Sequence, residues 1–361
     1  MSMASSQTER LPLHDKHVSR NARLGQFGEW EVPLYYRGIL EEHEAVRTRA
    51  GLFDISHMGK FEVSGPSCAS VLDSILPRPI AAMKETKALY MPLLNDEAGI
   101  LDDIIVYRIA AERFFIIVNA SNVDKDRTWL KARLEGKANF KDLTRDRCLV
   151  ALQGPESPKV LAKILGKNDF ESLGYYHFAL WEDGMIARTG YTGEDGYEIM
   201  ASKALIEKLW DSLLAAGVEP VGFGARDTLR LEAGMPLYGH DLNEGVTPLE
   251  AGIGWAVDLT KPAFPGKKVL ESRKAAGVRT KLVGFEMAER GIPRPDFEVR
   301  KNGIRIGRVA SGSFAPTLKK NIGMAYVDYA YAQAGAEFEI VIRDKEVKAR
   351  IVPLPFYKRQ K

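Results

Sequence analysis

The first part of this chain is organised around the stretch Leu101-Asp-Asp-Ile-Ile-Val-Tyr-Arg108 and the stretch Arg113-Phe-Phe-Ile-Ile-Val-Asn119 that closely follows it. Both are rich in β-branched and aromatic residues, which are typical of strands. The link from Ile109 to Glu112 is short enough for a hairpin. We therefore predict two adjacent strands here, followed by a helix over residues 122–134, where apolar and charged residues recur at helical spacing.

Strands and helices remain mixed on the C-terminal side of this hairpin. Gly217 and Gly234 are placed to end two of the helices, because glycine readily adopts the left-handed conformation that often follows a helix. The further strands predicted cover residues 149–152, 182–189 and 197–200, and the further helices cover residues 158–165, 205–216 and 225–233.

From about Arg279 the pattern changes to short alternating runs separated by Gly, Pro or Asn. The triplet Lys301-Asn-Gly303 is typical of a hairpin turn. The region therefore reads as a separate all-β barrel or sandwich, with residues 262–277 as its connector. The predicted strands are residues 282–286, 297–300, 304–307, 323–327, 338–342 and 347–352.

Length and composition exclude several classes of protein. The chain has 361 residues, and single cores stop growing near about 250–300 residues, which predicts at least two domains. Lys and Arg (51) nearly balance Asp and Glu (48), and no basic block indicates binding to nucleic acid or to an anionic membrane. The distant pair Cys68 and Cys148 argues against a disulfide framework and a cysteine zinc site, and fits a reducing compartment.

Neither a membrane helix nor a targeting segment is indicated. No apolar run approaches the about 18–20 residues that a membrane helix needs. Residues 1–16 lack an apolar core and mix acids with bases, unlike a signal or transit peptide. We therefore expect a cytoplasmic protein that does not associate with membranes.

The paired acids Asp102 and Asp103 are unusual beside such apolar neighbours. Because side chains alternate along a strand, Asp103 shares a face with Ile105 and Tyr107, and Asp102 lies on the opposite face. An acid in that position is costly unless a partner pairs with it or a ligand uses it. The alternative is that both acids lie at the exposed start of the strand.

Three glycines recur at every third position in Arg188-Thr-Gly-Tyr-Thr-Gly-Glu-Asp-Gly196. Glycine permits positive φ and the close approach of another group to the backbone. A phosphate-binding loop is disfavoured, because strand rather than helix follows the segment. The segment is either a tight connection between strands or the shaped edge of a ligand pocket, into which Glu198 would point a carboxylate.

The predicted helix over residues 225–233 places Arg226 and Arg230 one turn apart. Arg230 could pair with Asp227 along the helix surface, whereas Arg226 lies near the helix start, where the dipole disfavours a cation. Six histidines show no spacing typical of a metal site, and a lone histidine such as His57 is more often a hydrogen-bonded core residue than a ligand or base.

Taken together and in order, these segments resemble the aminomethyltransferase (T-protein) family of the glycine cleavage system, over nearly the whole chain. The set is far more specific than any one member. The matching stretches are Pro12–His17, Trp30–Leu34, Phe53–Gly59, Gly99–Asp103, Asn119–Asn122, Leu152–Pro155, Arg188–Gly196, Gly224–Ala233, Tyr238–Gly239, Thr247–Glu250 and Ser311–Leu318.

The resemblance implies an α+β molecule in a cloverleaf arrangement around a central folate channel. Two interleaved α+β lobes would form the catalytic region, residues 1–275, and residues 276–361 would form a C-terminal β-barrel domain. The implied reaction transfers the methylene carbon of an aminomethyl group, held on the lipoyl arm of the carrier H-protein, to tetrahydrofolate. The implied products are 5,10-methylenetetrahydrofolate and ammonia, and neither a metal nor a flavin is expected.

The resemblance also assigns roles to individual residues. Asp103 matches the family's catalytic aspartate, which would orient the folate amine and offset positive charge on an iminium-like species. Glu198 matches the acid that accepts the adjacent N–H groups of the pterin edge. Arg226 matches an arginine of the folate site that would orient Glu198 or donate to the ring.

Less specific assignments complete the implied site. Tyr90, Tyr107 and Tyr191 would form pocket walls with flat stacking area and a hydroxyl group. Lys358, or Arg359 in its place, would hold the glutamate tail of folate. One departure is that family members commonly carry Gly-Gly before Ile-Leu-Asp-Asp, whereas Ala98 precedes Gly99 here.

Two other readings stay open on the sequence. One is a folate-dependent demethylase of the same fold, and the other is a non-catalytic folate-binding protein. The intact acidic motif at Asp103 favours catalysis, and the Lys-Gly-Cys-Tyr-type motif of the non-catalytic relatives is absent.

Overall fold

The computed structural model describes residues 8–166 and 170–359. The chain divides into two compact units that alternate along the sequence. Unit 1 comprises Met1–Gly65, Lys84–Leu89 and Val106–Asp227. Unit 2 comprises Pro66–Met83, Tyr90–Ile105 and Thr228–Lys361. No helix within the described residues is both long and apolar enough to cross a membrane.

Strands and helices occur throughout both units. The helices are α1 (His14–Ser19), α2 (Ile39–Thr48), α3 (Cys68–Ile75), α4 (Val123–Leu134), α5 (Ser157–Leu165), α6 (Lys203–Ala215), α7 (Phe223–Glu232) and α8 (Lys267–Ala276). The strands are β1 (Glu9–Arg10), β2 (Arg23–Phe27), β3 (Trp30–Tyr35), β4 (Gly51–Asp54), β5 (Gly59–Ser64), β6 (Ala88–Leu94), β7 (Ile100–Ala110), β8 (Arg113–Val118), β9 (Asn139–Asp142), β10 (Cys148–Gln153), β11 (Phe178–Trp181), β12 (Gly184–Ala187), β13 (Gly196–Ala201), β14 (Glu219–Pro220), β15 (Thr280–Met287), β16 (Glu298–Lys301), β17 (Ile304–Ala315), β18 (Lys320–Asp328), β19 (Glu337–Ile342) and β20 (Lys345–Val352). Short 3₁₀ turns cover Ala120–Asn122, Gly254–Ala256 and Tyr329–Tyr331.

Unit 1 is built on a mixed sheet with the strand order β11-β12-β13-β10-β4-β14. Its core includes Leu52 and Tyr197 from the sheet, which pack with Leu161 of α5 and Trp210 of α6. All residues of β4 and β10, at the centre of the sheet, are buried, and α5 and α6 pack against the sheet. The turn before β13 therefore leads into a strand in which every residue except the half-buried Glu198 is buried.

A second sheet has the order β6-β7-β8-β5-β9, and it contains the hairpin predicted from the sequence. The predicted strands over residues 101–108 and 113–119 correspond to β7 and β8, which are neighbours in this sheet. The predicted helix over residues 122–134 corresponds to α4. Both β6 and β7 begin in one unit and end in the other, so the unit boundary falls within each strand.

Unit 2 contains a closed barrel with the strand order β15-β18-β17-β16-β19-β20. Its interior is filled by alternating residues, among them Phe285, Val299 and Phe338. The alternating pattern from Arg279 onward is thereby confirmed, and the α+β class with a C-terminal barrel is confirmed with it. The domain boundary near residue 275 and the cloverleaf arrangement stay predictions.

Three sequence-based expectations are wrong. The predicted strand over residues 182–189 is wrong in its extent, because β12 covers only Gly184–Ala187 and Glu182, with φ of 51°, lies in the turn that joins β12 to β11. The predicted connector over residues 262–277 contains α8, whose Leu270 is buried in a core cluster. Asp102 and Asp103 do not lie at the exposed start of a strand, since β7 begins at Ile100 and Asp102 is fully buried.

Candidate functional site

The predicted site residues form two groups, one in each unit. Tyr107, Tyr191, Glu198 and Arg226 belong to unit 1, and with Thr189 they are called the Glu198 cluster below. Tyr90 and Asp103 belong to unit 2, and with Trp255 they are called the Asp103 cluster. Thr189 and Trp255 were not singled out from the sequence.

Glu198 projects from β13 and is half-buried. Its Oε2 accepts a hydrogen bond of 2.6 Å from Thr189 Oγ1. Burial raises the pKa of Glu198 above its ordinary value, while the Thr189 hydroxyl and the charge of Arg226 act in the opposite direction. The carboxylate thus keeps one strong donor within the protein and has further lone pairs for N–H groups of a ligand.

Tyr107 lies at the base of the Glu198 cluster, in β7, and is almost fully buried. Its hydroxyl is hydrogen-bonded with the Thr189 side chain, and its ring meets Phe178 edge-on at 5.7 Å between centroids. Burial and the nearby Glu198 carboxylate raise the pKa of Tyr107 well above its usual value. Tyr107 therefore stays a neutral phenol that fixes Thr189, and it is a buried support rather than an open wall.

Arg226 and Tyr191 complete the Glu198 cluster. The Arg226 guanidinium lies over the Tyr191 ring, with 4.8 Å between Cζ and the ring centroid. This cation–π contact holds the planar guanidinium in one orientation. Arg226 belongs to the first turns of α7, and its charge acts on Glu198.

The glycine pattern before Glu198 has a specific packing cause. The buried Gln153 amide donates to Thr189 O at 3.1 Å and accepts from Thr192 Oγ1 at 2.8 Å. A Cβ on Gly190 or Gly196 would lie 2.0 Å or 2.3 Å from Gln153 side-chain atoms. These two glycines permit close approach to Gln153, whereas Gly193 supplies a positive φ of 80°.

The ion pair between Arg188 and Asp195 stabilises the same turn. The Arg188 guanidinium donates through Nε to Asp195 Oδ1 at 2.9 Å and through Nη2 to Asp195 Oδ2 at 2.5 Å. Arg188 Nη1 also donates to the carbonyl oxygens of Glu171 and Leu173. The turn that carries Thr189 and Tyr191 is therefore fixed by Gln153 on one side and by Arg188 on the other.

Asp103 is half-buried in β7, and Tyr90 of β6 donates its hydroxyl to Asp103 Oδ2 at 3.2 Å. Asp102 on the opposite face is fully buried. The face assignment made from strand alternation therefore agrees with the burial of both acids. An accessible carboxylate oriented by a phenol can accept a proton or stabilise a cation.

Trp255 extends the Asp103 cluster. Its ring stacks on the Tyr90 ring with 5.6 Å between centroids and an interplanar angle of 25°. Trp255 is 66% exposed, which is unusual for a side chain with so large an apolar surface. No periodicity in the sequence could have identified it, because it lies on an isolated 3₁₀ turn, Gly254–Ala256.

The C-terminal cations belong to unit 2. Lys358 is exposed and makes no hydrogen bond or ion pair with any described residue, whereas Arg359 is half-buried. The segment before them is anchored, because Tyr357 N donates to Glu232 O at 2.8 Å. A role for Lys358 in binding folate stays a prediction.

His57 is buried, as expected of a core histidine, but one of its ring nitrogens lacks the expected hydrogen bond among the described residues. Its Nδ1 has no hydrogen-bond partner within the described residues, and its ring packs against Phe27 and Phe223. Burial, together with the charge of Arg226, lowers the pKa of His57 to about 3. The ring is therefore neutral at physiological pH.

Arg230 does not lie on an exposed helix surface. It is 3% exposed in unit 2, and it donates to Asp241 Oδ2 at 2.7 Å and to Ser311 Oγ at 2.9 Å. Ser311 Oγ in turn donates to Asp241 Oδ2 at 2.8 Å. Arg230 therefore joins α7 to barrel strand β17 through a buried network and is a structural residue.

Within residues 8–166 and 170–359, no group of three or more His, Cys, Asp or Glu side chains is arranged to hold a metal ion. Each of the two clusters instead presents one half-buried carboxylate, Glu198 in unit 1 and Asp103 in unit 2, and each carboxylate accepts a hydrogen bond from a hydroxyl group. Such sites bind flat heterocycles with N–H donors and stabilise cationic intermediates.

Comparison with known proteins gives consistent results over the chain. Residues 13–261 match the GCVT N-terminal domain, and residues 280–358 match the glycine cleavage T-protein C-terminal barrel domain. An aminomethyltransferase of Desulfitobacterium hafniense is 44% identical, covering 98% of this chain and all of that protein. One from Listeria monocytogenes is 45% identical, covering 98% of this chain and 99% of that protein. The crystal structure of glycine cleavage system aminomethyltransferase T from Bartonella henselae superposes with a TM-score of 0.93 at 38% identity, covering 97% and 98% of the two chains.

Proposed function

Because this chain belongs to the glycine cleavage T-protein family of aminomethyltransferases, we propose that it transfers the methylene carbon from the lipoyl arm of H-protein to tetrahydrofolate. The C–S and C–N bonds of the aminomethyl group break, and two C–N bonds form on the folate. The two N–H protons that folate loses leave with ammonia and with the thiol of the reduced arm. The products are 5,10-methylenetetrahydrofolate, ammonia and the reduced carrier.

The observation that carries this proposal is the half-buried Asp103 carboxylate, oriented by the Tyr90 hydroxyl. An amine that attacks the aminomethyl carbon must lose a proton and must pass through a species of iminium character. A carboxylate within hydrogen-bond reach of that amine orients it and offsets the positive charge. This mechanism needs no covalent enzyme intermediate.

Glu198 is proposed to bind the pterin edge. Its carboxylate already accepts from Thr189, and the remaining lone pairs can accept two adjacent N–H groups side by side. Arg226, fixed over Tyr191, lowers the cost of keeping Glu198 ionised in its half-buried position. Tyr191 and Tyr90 offer flat area for ring contacts, and Lys358 is proposed for the glutamate tail.

The test is ammonia release from aminomethylated, lipoylated H-protein with purified protein and tetrahydrofolate. We expect the protein to accelerate release only when tetrahydrofolate is present. Folate binding without any stimulation of release would contradict the proposal and would favour a folate-dependent demethylase.

Asp103→Asn tests the residue that carries the mechanism. We expect it to lose most turnover while tetrahydrofolate affinity stays within about tenfold, or about 1.4 kcal/mol. Asp296→Asn is the matched control, because Asp296 is an exposed acid in the same unit. Full turnover by Asp103→Asn, in an assay where the wild type works, would remove Asp103 from the mechanism and leave the overall reaction in place.

A further inference from the structure

Trp255 is the exposed aromatic residue of the Asp103 cluster, and its indole is not buried in a hydrophobic core. At 66% exposure it gains little from the hydrophobic effect, and its one ring contact within the described residues is the stack on Tyr90. An exposed aromatic held over a single neighbour needs an explanation other than stability.

The backbone, rather than the side chain, holds Trp255 in place. Ile253 N donates to Pro248 O at 3.0 Å, and Ala256 N donates to Ile253 O at 2.9 Å. The neighbours Ile253 and Ala256 are 5% and 0% exposed. The turn is therefore anchored by buried residues on both sides of an exposed indole.

The same turn is connected to Tyr90 by a second route. Asp258 N donates to Pro77 O at 2.8 Å. Arg78, which follows Pro77 in the chain, donates from Nη1 to Tyr90 O at 3.3 Å. Lys261 Nζ donates to Arg78 O at 3.0 Å. Segment 77–78 thus fixes the Tyr90 backbone relative to the turn, while the Trp255 ring lies against the Tyr90 ring.

We propose that Trp255 is a positioning residue that holds the Tyr90 phenol on the Asp103 carboxylate. The Tyr90–Asp103 hydrogen bond of 3.2 Å is longer than the usual range for O–H···O, so a small tilt of the Tyr90 ring would break it. The Tyr90 backbone is fixed, and ring rotation is its main remaining freedom. An aromatic face stacked on the ring restricts that rotation.

This inference rests on the proposed role of Asp103, and a double-mutant cycle in the ammonia-release assay tests it. The variants are Trp255→Ala, Tyr90→Phe and the two combined, with Trp255→Phe as the conservative replacement. We expect Trp255→Ala to lower kcat about two- to tenfold, with little change in KM for either substrate. In the Tyr90→Phe background, which has no phenol to position, Trp255→Ala should have no further effect.

Controls separate this role from others. Tyr329→Ala removes a 57% exposed aromatic of the same unit and should leave kcat unchanged. Trp255→Phe should recover most of the kcat, and thermal unfolding of every variant should stay near that of the wild type. Additive losses in the double variant, or a raised KM with unchanged kcat, would overturn the proposal, because Trp255 would then contact substrate directly. A wild type without activity would contradict the proposed function instead.

Discussion

At the scale of single residues, Glu198 shows how opposing effects set the state of a carboxylate. Burial favours its neutral form, whereas the Thr189 hydroxyl and the Arg226 charge favour the ionised form, and the net result is a raised pKa. The residue therefore costs stability at neutral pH, where an unfolded chain would ionise it freely. Binding sites commonly accept such a cost.

Glu198→Gln should reverse that cost while weakening folate binding. A raised pKa in the folded state means that the contribution of Glu198 to stability is complete below its unfolded pKa and is lost as pH rises through the folded pKa. Glutamine still accepts from Thr189 but does not ionise, so the variant should gain stability over the wild type as pH rises from acid to neutral. The free energy of urea unfolding, measured for both proteins at an acid and at a neutral pH, gives the size of this gain.

The same variant should bind tetrahydrofolate less tightly, because an amide has one oxygen in place of a carboxylate. Loss of a charge-assisted hydrogen bond of about 1.5–3 kcal/mol predicts a Kd higher on the order of tenfold to a hundredfold. Fluorescence titration with tetrahydrofolate checks it. Wild-type affinity, or a variant that is less stable at neutral pH, would count against the role given to Glu198.

Residue-level prediction from the sequence worked where one strand determines the answer. Side-chain alternation along β7 separated Asp103 from Asp102, and the burial of the two acids agrees with it. It did not work for Arg230, because the partner Asp241 is supplied by a later loop and Ser311 by the barrel. A helix pattern describes one face of one helix and contains no information on which distant side chain will meet it.

At the scale of elements, the turn before β7 explains the departure at Ala98. Ala98 has φ of 63°, in the left-handed region that favours glycine, the residue that the family resemblance leads us to expect at this position. Gly99 is required for another reason, because a Cβ there would lie 2.1 Å from the carbonyl oxygen of Glu244. The two adjacent positions therefore tolerate substitution differently.

Gly99→Ala and Ala98→Gly form a matched pair that tests this difference. Gly99→Ala should destabilise the protein by about 1–3 kcal/mol or more, because a backbone carbonyl cannot move aside as a flexible side chain can. Ala98→Gly relieves the left-handed conformation but removes a buried methyl group, so its effect should stay within about 1 kcal/mol. Urea unfolding midpoints compare them, and equal destabilisation by the two changes would contradict the account.

At the scale of the whole chain, the barrel strands form one continuous segment, but some apolar residues that pack on them come from earlier in the chain. Barrel residues Leu282, Met324 and Tyr326 pack in one cluster with Leu231 of α7. The Tyr326 hydroxyl donates to Asp241 O at 2.7 Å. The barrel thus buries part of its outer surface against residues that precede position 276.

A fragment of residues 276–361 should therefore form a defective domain. Without Leu231 and Asp241 it exposes the apolar cluster and leaves the Tyr326 hydroxyl without its acceptor. We expect the fragment to bind a hydrophobic dye and to unfold at a lower temperature than the full chain. A cooperative transition near that of the full chain, without dye binding, would show instead that the barrel is an independent domain.

Local pattern was sufficient for the hairpin of β7 and β8, for α4 and α6, and for the barrel strands, because period and turn chemistry are properties of neighbouring residues. The motif series was likewise sufficient for the family. The burial of Gln153 under the glycine turn, the unsatisfied nitrogen of His57 and the stack of Trp255 on Tyr90 could not be read in this way. Each depends on chain segments that are distant in sequence and meet only after folding, when close packing selects which side chains touch.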